Sequence, residues 1–182
     1  LSREIVRLMN VEEAVVLKAL HFAEEPLAIA AEKAAEAFMR GGRIVYVGAG
    51  TSGRVAAADA AEMPPTFGIE PGIFVALVAG NAAGQTAVED AEDDSHASII
   101  ELNELGVNPR DIVIGLAASG STPFVVSAIT HAREKGVWTC GIANNRGALL
   151  LEAAEHGILL DTGPEVLTGS TRLKAGTSPK LA

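Results

Sequence analysis

Apolar residues at the start of the chain recur every three or four positions, first from Ile5 to Leu20 and again in the alanine-rich stretch after Pro26. This spacing predicts two helices between about residues 2 and 40, with Pro26 marking the break between them. No segment here has the short, continuous apolar character of a strand. We therefore expect a helical segment over residues 1–42 that packs on the rest of the protein or on a partner chain.

From residue 43 the pattern changes to short apolar runs that alternate with helical spacing. The runs predict five strands, at about 44–47, 73–78, 112–116, 137–142 and 157–160. Helices are predicted between them, at about 54–62, 81–90, 95–105, 122–135 and 148–155. Prolines at 64, 65 and 71 predict a loop over 63–72. Alternating strands and helices predict a doubly wound α/β domain over residues 43–182, with a mainly parallel five-stranded sheet covered by helices on both faces.

Composition narrows the class of protein. Of the 182 residues, 48% are hydrophobic and 20% are charged, which is typical of a globular protein with an aliphatic core. The formal net charge of −9 disfavours nucleic acid and anionic membrane surfaces, and we expect neither as a partner. The single Cys140 cannot form an intrachain disulfide, and neither a secretory leader nor a long apolar run is present. These features together predict a cytoplasmic protein.

Two turns rich in glycine and hydroxyl side chains each follow a predicted strand and precede a predicted helix. They cover residues 48–53 (GAGTSG) and 118–123 (ASGSTP). The free N–H groups and the dipole of a helix N-terminus favour an anion, and hydroxyl groups add donors. A simpler interpretation is that each serine or threonine caps its helix, although a cap needs only one hydroxyl. We expect the turns to form one phosphate site whose ligands are Thr51, Ser52, Gly53, Ser119, Ser121 and Thr122.

The first turn also has the G-x-G-x-x-G spacing of dinucleotide-binding turns, through Gly48, Gly50 and Gly53. A dinucleotide site needs an acidic residue at the end of the second strand, where it binds the ribose hydroxyls. The second predicted strand ends in Val78-Ala79-Gly80 and has no such residue. A phosphate monoester is therefore the better match to this turn.

Three longer stretches carry a more specific resemblance: 42–54 (GRIVYVGAGTSGR), 59–68 (DAAEMPPTFG) and 169–177 (GSTRLKAGT). Through them the chain strongly resembles the N-acetylmuramic acid 6-phosphate etherases of the sugar isomerase (SIS) superfamily. The resemblance implies a flavodoxin-like SIS fold and a carbon–oxygen lyase that acts in peptidoglycan recycling. Such an enzyme cleaves the D-lactyl ether of N-acetylmuramic acid 6-phosphate with water, giving N-acetylglucosamine 6-phosphate and D-lactate. The resemblance implies neither a metal nor a cofactor.

The same resemblance implies two catalytic glutamates, which fall on Glu62 and Glu92. Lactate on C3 lies β to the aldehyde of the open-chain sugar, so elimination needs a base for the C2 proton and an acid for the leaving oxygen. Asp59, one helical turn before Glu62, favours Glu62 as the acid and leaves Glu92 as the base. The residues alone leave the two roles interchangeable, and Glu89 is an alternative to Glu92.

Two basic residues near the motifs are candidates for binding the ligand. We expect Lys174 to face the substrate, and Arg54 either to approach the phosphate or to face solvent. Ser121 departs from the family pattern, because the etherases usually carry an arginine there. That difference leaves open how the substrate choice of this chain compares with theirs.

The two apolar N-terminal helices need a surface to cover them, which predicts a homodimer. The chain starts at Leu1 and stops just after a polar loop, and we expect it to be shortened at its C-terminal end. Two alternatives to the etherase use the same phosphate turns. One is a sugar-phosphate isomerase, and the other is a non-catalytic phosphosugar-binding protein that resembles the glucokinase regulatory proteins.

Overall fold

A five-stranded parallel sheet forms the centre of the protein. The structure is a computed structural model that describes residues 1–81 and 90–182. The strands are β1 (Ile44–Gly48), β2 (Phe74–Val78), β3 (Ile112–Leu116), β4 (Trp138–Ala143) and β5 (His156–Leu159), in the spatial order β2-β1-β3-β4-β5. Every neighbouring pair is parallel. The predicted doubly wound α/β fold is thereby confirmed, with strand ends within two residues of those expected.

Seven α-helices are present in the described part of the chain. They are α1 (Ser2–Phe22), α2 (Glu24–Met39), α3 (Gly50–Phe67), α4 (Ser95–Leu105), α5 (Pro123–Glu134), α6 (Leu149–Ala153) and α7 (Lys174–Leu181). Short 3₁₀ turns lie at Ala79–Asn81 and Ala91–Asp93. The helix expected over 81–90 falls almost entirely outside the described residues. None of the helices in residues 1–81 and 90–182 has the length and apolar character needed to span a membrane.

Side chains of each strand alternate between two buried layers. Val45, Val47 and Val113 pack against α4, α5 and α6, whereas Ile44 and Ile112 pack against α2 and α3. Successive strand residues point to opposite faces, so a strand covered on both faces must be apolar at nearly every position. This is why the strands are continuous apolar runs in the sequence. Helix α2 belongs to the second layer, whereas much of α1 is exposed.

Two predictions about prolines are wrong. The break between α1 and α2 lies at Ala23, and Pro26 lies in the first turn of α2. The N–H groups of a first turn have no partner within the helix, so a proline is tolerated there. The loop expected from residue 63 is instead the end of α3, which continues through Pro64 and Pro65 to Phe67. A proline keeps its carbonyl as an acceptor, and the Gly68 N–H donates to the Pro64 carbonyl oxygen at 3.0 Å. Gly68 then ends the helix with a φ of 66°.

The strand order places the two glycine-rich turns side by side. After β1 the chain moves to β2 on one side, and after β3 it moves to β4 on the other. Strands β1 and β3 are neighbours, with Gly48 opposite Leu116 at their carboxyl ends. In open α/β sheets this is the point at which ligands bind. Helices α3 and α5 therefore begin next to each other and diverge to opposite faces of the sheet.

Candidate functional site

A cavity of about 470 Å³ opens at the carboxyl ends of β1 and β3. Both glycine-rich turns line it, together with the 3₁₀ turn Ala91–Asp93 and the loop before α7. The structure brings together six of the residues predicted for the site: Thr51, Ser52, Glu92, Ser119, Ser121 and Thr122. Asp93 and Thr171 also line the cavity and were not predicted. Thr171 lies in the 169–177 motif, where it could have been singled out, whereas Asp93 was indistinguishable from the other acids of its run.

The first turn leaves the start of α3 open to the cavity. Ala49 is extended and Gly50 has a φ of 53°, and no side chain in the described residues caps this helix. The hydroxyls of Thr51 and Ser52 are therefore not used as caps. The unpaired N–H groups of the first helical turn carry partial positive charge, so this end of α3 favours an anion.

Gly53, predicted as a phosphate ligand, does not line the cavity. It is buried, and a Cβ atom added there would lie 2.6 Å from Val78 Cγ1 and 2.9 Å from the Gly48 carbonyl oxygen. Both distances are shorter than real Cβ contacts, so only glycine allows α3 to approach β1 and β2 this closely. Its role is to position the turn, which is the function of the third glycine in a G-x-G-x-x-G pattern.

The second turn is held in shape by a hydrogen bond within it and by two more from Asn145. The Ser121 N–H donates to Ser119 Oγ at 3.3 Å, and Gly120 has a φ of 70°. Asn145 Nδ2 donates to the carbonyl oxygens of Ala118 and Ser119 at 3.3 and 3.2 Å. Thr122 precedes Pro123, the first residue of α5, and its side chain makes no capping bond within the described residues. Asn145 was not predicted, because its contact with the turn joins residues 26 positions apart.

The described acidic residues beside the cavity have two different roles. Asp94 caps α4, since its Oδ1 accepts from the N–H groups of His96 and Ala97 at 3.0 Å. Glu92 and Asp93 are exposed and line the cavity. Glu89, the alternative to Glu92, lies outside the described residues. The cavity therefore combines two helix N-termini that attract an anion with carboxylates that can exchange protons.

Glu62 lies far from this cavity within the same chain. It is exposed on α3 twelve residues beyond Gly50, which corresponds to about 18 Å along the helix axis. Asp59 does not pair with it, because its carboxylate accepts the Tyr46 hydroxyl at 2.8 Å. Burial, together with the charge of Asp59, raises the pKa of Tyr46. One chain therefore does not bring Glu62 and Glu92 together.

Lys174 does not face the cavity as expected. Its side chain is 3% exposed, and Nζ donates to Glu12 Oε2 at 2.6 Å and to the Pro164 carbonyl oxygen at 2.8 Å. An ammonium group removed from water needs such partners; the packing of α7 on α1 supplies Glu12, and the loop between β5 and α7 supplies the Pro164 carbonyl. The structure thus corrects the prediction for Lys174, which links two helices instead of presenting a charge to the ligand.

Arg54 neither lines the cavity nor extends freely into solvent. It is half-buried, and Nη2 donates to Thr51 Oγ1 at 3.1 Å. Among the described residues that line the cavity there is no lysine or arginine. The guanidinium of Arg54 is therefore held beside the first turn, and Thr51 links it to the cavity.

Comparison with known proteins matches residues 11–144 to the SIS domain family. The N-acetylmuramic acid 6-phosphate etherase of Geobacillus thermodenitrificans is 47% identical over 99% of this chain and 61% of its own length. The corresponding etherase of Streptomyces coelicolor is 48% identical over 98% of this chain and 58% of its own. The chain thus spans about three-fifths of the length of these curated relatives.

Solved structures show the same fold at low identity. The phosphoheptose isomerase of Francisella tularensis has a TM-score of 0.74 and 19% identity, covering 98% of this chain and 92% of that one. The phosphoheptose isomerase of Neisseria gonorrhoeae has a TM-score of 0.67 and 21% identity, covering 99% and 94%. Family match, fold and the paired turns at the centre of the sheet agree, and the chain belongs to the SIS domain family.

Proposed function

We propose that this protein cleaves the D-lactyl ether of N-acetylmuramic acid 6-phosphate, releasing D-lactate and N-acetylglucosamine 6-phosphate. The observation that carries the proposal is the convergence of both glycine-rich turns and Glu92 on one cavity. The curated relatives are named N-acetylmuramic acid 6-phosphate etherases, and these names supply the substrate and the cleavage of an ether. We infer a carbon–oxygen lyase that acts in the cytoplasm on recycled peptidoglycan.

In the proposed mechanism the two turns bind the phosphate, and the sugar extends towards Glu92. Glu92 removes the C2 proton of the open-chain sugar, and the electron pair forms the C2–C3 double bond as the C3–oxygen bond breaks. Glu62 protonates the departing lactate oxygen. Water then adds to C3 and a proton returns to C2, so the ether is hydrolysed without a change of oxidation state. Support for Glu92 as the base comes from its exposed position on the cavity wall.

We also propose that the protein is a homodimer in which Glu62 serves the cavity of the partner chain. The separation of about 18 Å along α3 leaves each chain with one glutamate at its own cavity. Helix α1 also exposes Ile5, Val6 and Leu8, each at least 50% accessible in the single chain. Covering these side chains against a second copy removes apolar surface from water, which favours association.

Lactate release tests the reaction directly. The protein is incubated with N-acetylmuramic acid 6-phosphate, and D-lactate is measured with a coupled dehydrogenase. Glu92→Gln is expected to lower turnover about 10²–10⁴-fold, the range for one general acid–base group. Exposed Glu152 on α6 provides a matched control, and Glu152→Gln should retain full activity. Formation of an isomerised sugar phosphate without lactate would establish an isomerase instead, and binding without turnover would establish a regulator.

Mixing two inactive variants tests the shared site. In a mixed dimer of Glu62→Gln and Glu92→Gln, one of the two cavities regains both glutamates if the partner supplies Glu62. Random reassociation should then restore about a quarter of wild-type activity. If one chain supplied both groups, every mixed dimer would remain inactive.

A further inference from the structure

The cavity has an unusual charge distribution for an anion site. Its lining, as far as residues 1–81 and 90–182 form it, includes the carboxylates of Glu92 and Asp93 but no lysine or arginine. The whole chain carries a formal charge of −9. Helix N-termini supply only partial charges, of about half an elementary charge each. A phosphate therefore benefits from any further positive group that is held near the turns.

Arg54 is such a group, and its contact is specific. Its Nη2 donates to Thr51 Oγ1 at 3.1 Å, and Thr51 lines the cavity. Within residues 1–81 and 90–182 the guanidinium forms no ion pair with a carboxylate. Its charge is therefore not neutralised by a neighbouring side chain of that part of the protein.

The hydrogen bond also determines what the Thr51 hydroxyl can do. A hydroxyl has one proton to donate and two lone pairs to accept. Because Arg54 donates to one lone pair, the hydroxyl proton points away from the guanidinium, and no described residue accepts it. The methyl group of Thr51 faces α7, since a Cβ atom added to Gly176 would lie 3.9 Å from Thr51 Cγ2. A β-branched threonine has few χ1 rotamers, and the hydrogen bond from Arg54 favours the observed one.

We propose that Arg54 is a positioning residue for the phosphate group of the ligand. It holds the Thr51 hydroxyl so that its proton is available to a phosphate oxygen, and its charge polarises that O–H group. Arg54 acts through Thr51 and does not contact the ligand itself. The inference rests on the proposed function only in requiring a phosphate monoester as the ligand.

A double-mutant cycle tests the coupling, with affinity for N-acetylglucosamine 6-phosphate measured by calorimetry. Arg54→Met and Thr51→Val should each weaken binding about tenfold, as expected for loss of a charge-assisted hydrogen bond. The double variant should be weakened little more than Thr51→Val alone, because Arg54 then has no hydroxyl to position and its guanidinium does not line the cavity. A hundredfold loss in the double variant, the product of the two single effects, would overturn the proposal.

Conservative variants separate positioning from folding. Thr51→Ser keeps the hydroxyl, so Arg54→Met should weaken binding about tenfold in this background as well. A general effect of Arg54 on folding would instead weaken binding equally in the Thr51→Val and Thr51→Ser backgrounds, and would overturn the proposal. If the wild-type protein binds the sugar phosphate but releases no lactate, the proposed etherase activity is refuted, and the double-mutant cycle on binding still tests the role of Arg54. Wild-type protein that binds neither this sugar phosphate nor inorganic phosphate would refute both.

Discussion

The ion pair between Lys174 and Glu12 should respond unequally to loss of its two partners. Lys174 is 3% exposed and Glu12 is 34% exposed. Glu12→Gln removes the negative charge from beside the buried ammonium group and leaves it only neutral acceptors, such as the Pro164 carbonyl oxygen. Removing one partner of a buried pair costs about 3–5 kcal/mol, and we expect about 2–4 kcal/mol here because Glu12 is partly solvated. Lys174→Met leaves a carboxylate that can turn to water, so its expected cost is only about 1–2 kcal/mol.

Urea denaturation at pH 7 measures both costs, followed by far-UV circular dichroism and by fluorescence of the single Trp138. Glu13→Gln is the matched control, since it makes the same charge change on the same helix without breaking an ion pair in the described residues. The double variant Glu12→Gln with Lys174→Met should be more stable than Glu12→Gln alone, because it leaves no unpaired charge. Equal costs for the two single variants, or the reverse order, would refute the reasoning.

Three further predictions concern stability and reactivity. Gly53→Ala should lower the free energy of unfolding by about 1–3 kcal/mol, because the added methyl group overpacks against Val78. Gly176→Ala would make only ordinary contacts and should be neutral or stabilising. Urea denaturation compares the two variants. Burial would raise the pKa of Asp111, but hydrogen bonds from Arg43 and the Asn108 N–H outweigh it and lower that pKa. The resulting stability is present above about pH 4 and is lost as the pH falls through the folded-state value, so the deficit of Asp111→Asn should shrink below about pH 4 in pH-dependent melts. Burial raises the pKa of Cys140 to about 12, so iodoacetamide should label it only after unfolding, and labelling of the native protein would contradict this.

The fold could be predicted because its signal is local. Each strand is buried on both faces, so runs such as Ile112–Leu116 are apolar throughout and stand out from the helical spacing around them. The end of α3 could not be predicted in this way. Pro64 and Pro65 suggest a loop by local rules, yet the helix continues, and Gly68 closes it with a left-handed backbone.

In the candidate site, too, local sequence predicted some features and not others. The residues of the two turns could be proposed because each turn is a continuous segment between a strand and a helix. Lys174 could not be placed, because its partner Glu12 is 162 residues away along the chain. The position of Glu92 among other acids was equally ambiguous, since only the fold distinguishes a residue that lines the cavity from Asp94, which caps α4.

By itself the sequence determined the parallel α/β architecture and identified the two turns as candidates for anion binding, since hydrophobic periodicity and helix N-terminal chemistry act over a few residues. Tertiary structure decided which of these segments meet. The order β2-β1-β3-β4-β5 brings together turns about 70 residues apart, directs Glu92 to them and leaves Glu62 about 18 Å along α3. It also decided the roles of the charged side chains, because a buried charge is defined by partners that are distant in sequence, as Lys174 is by Glu12.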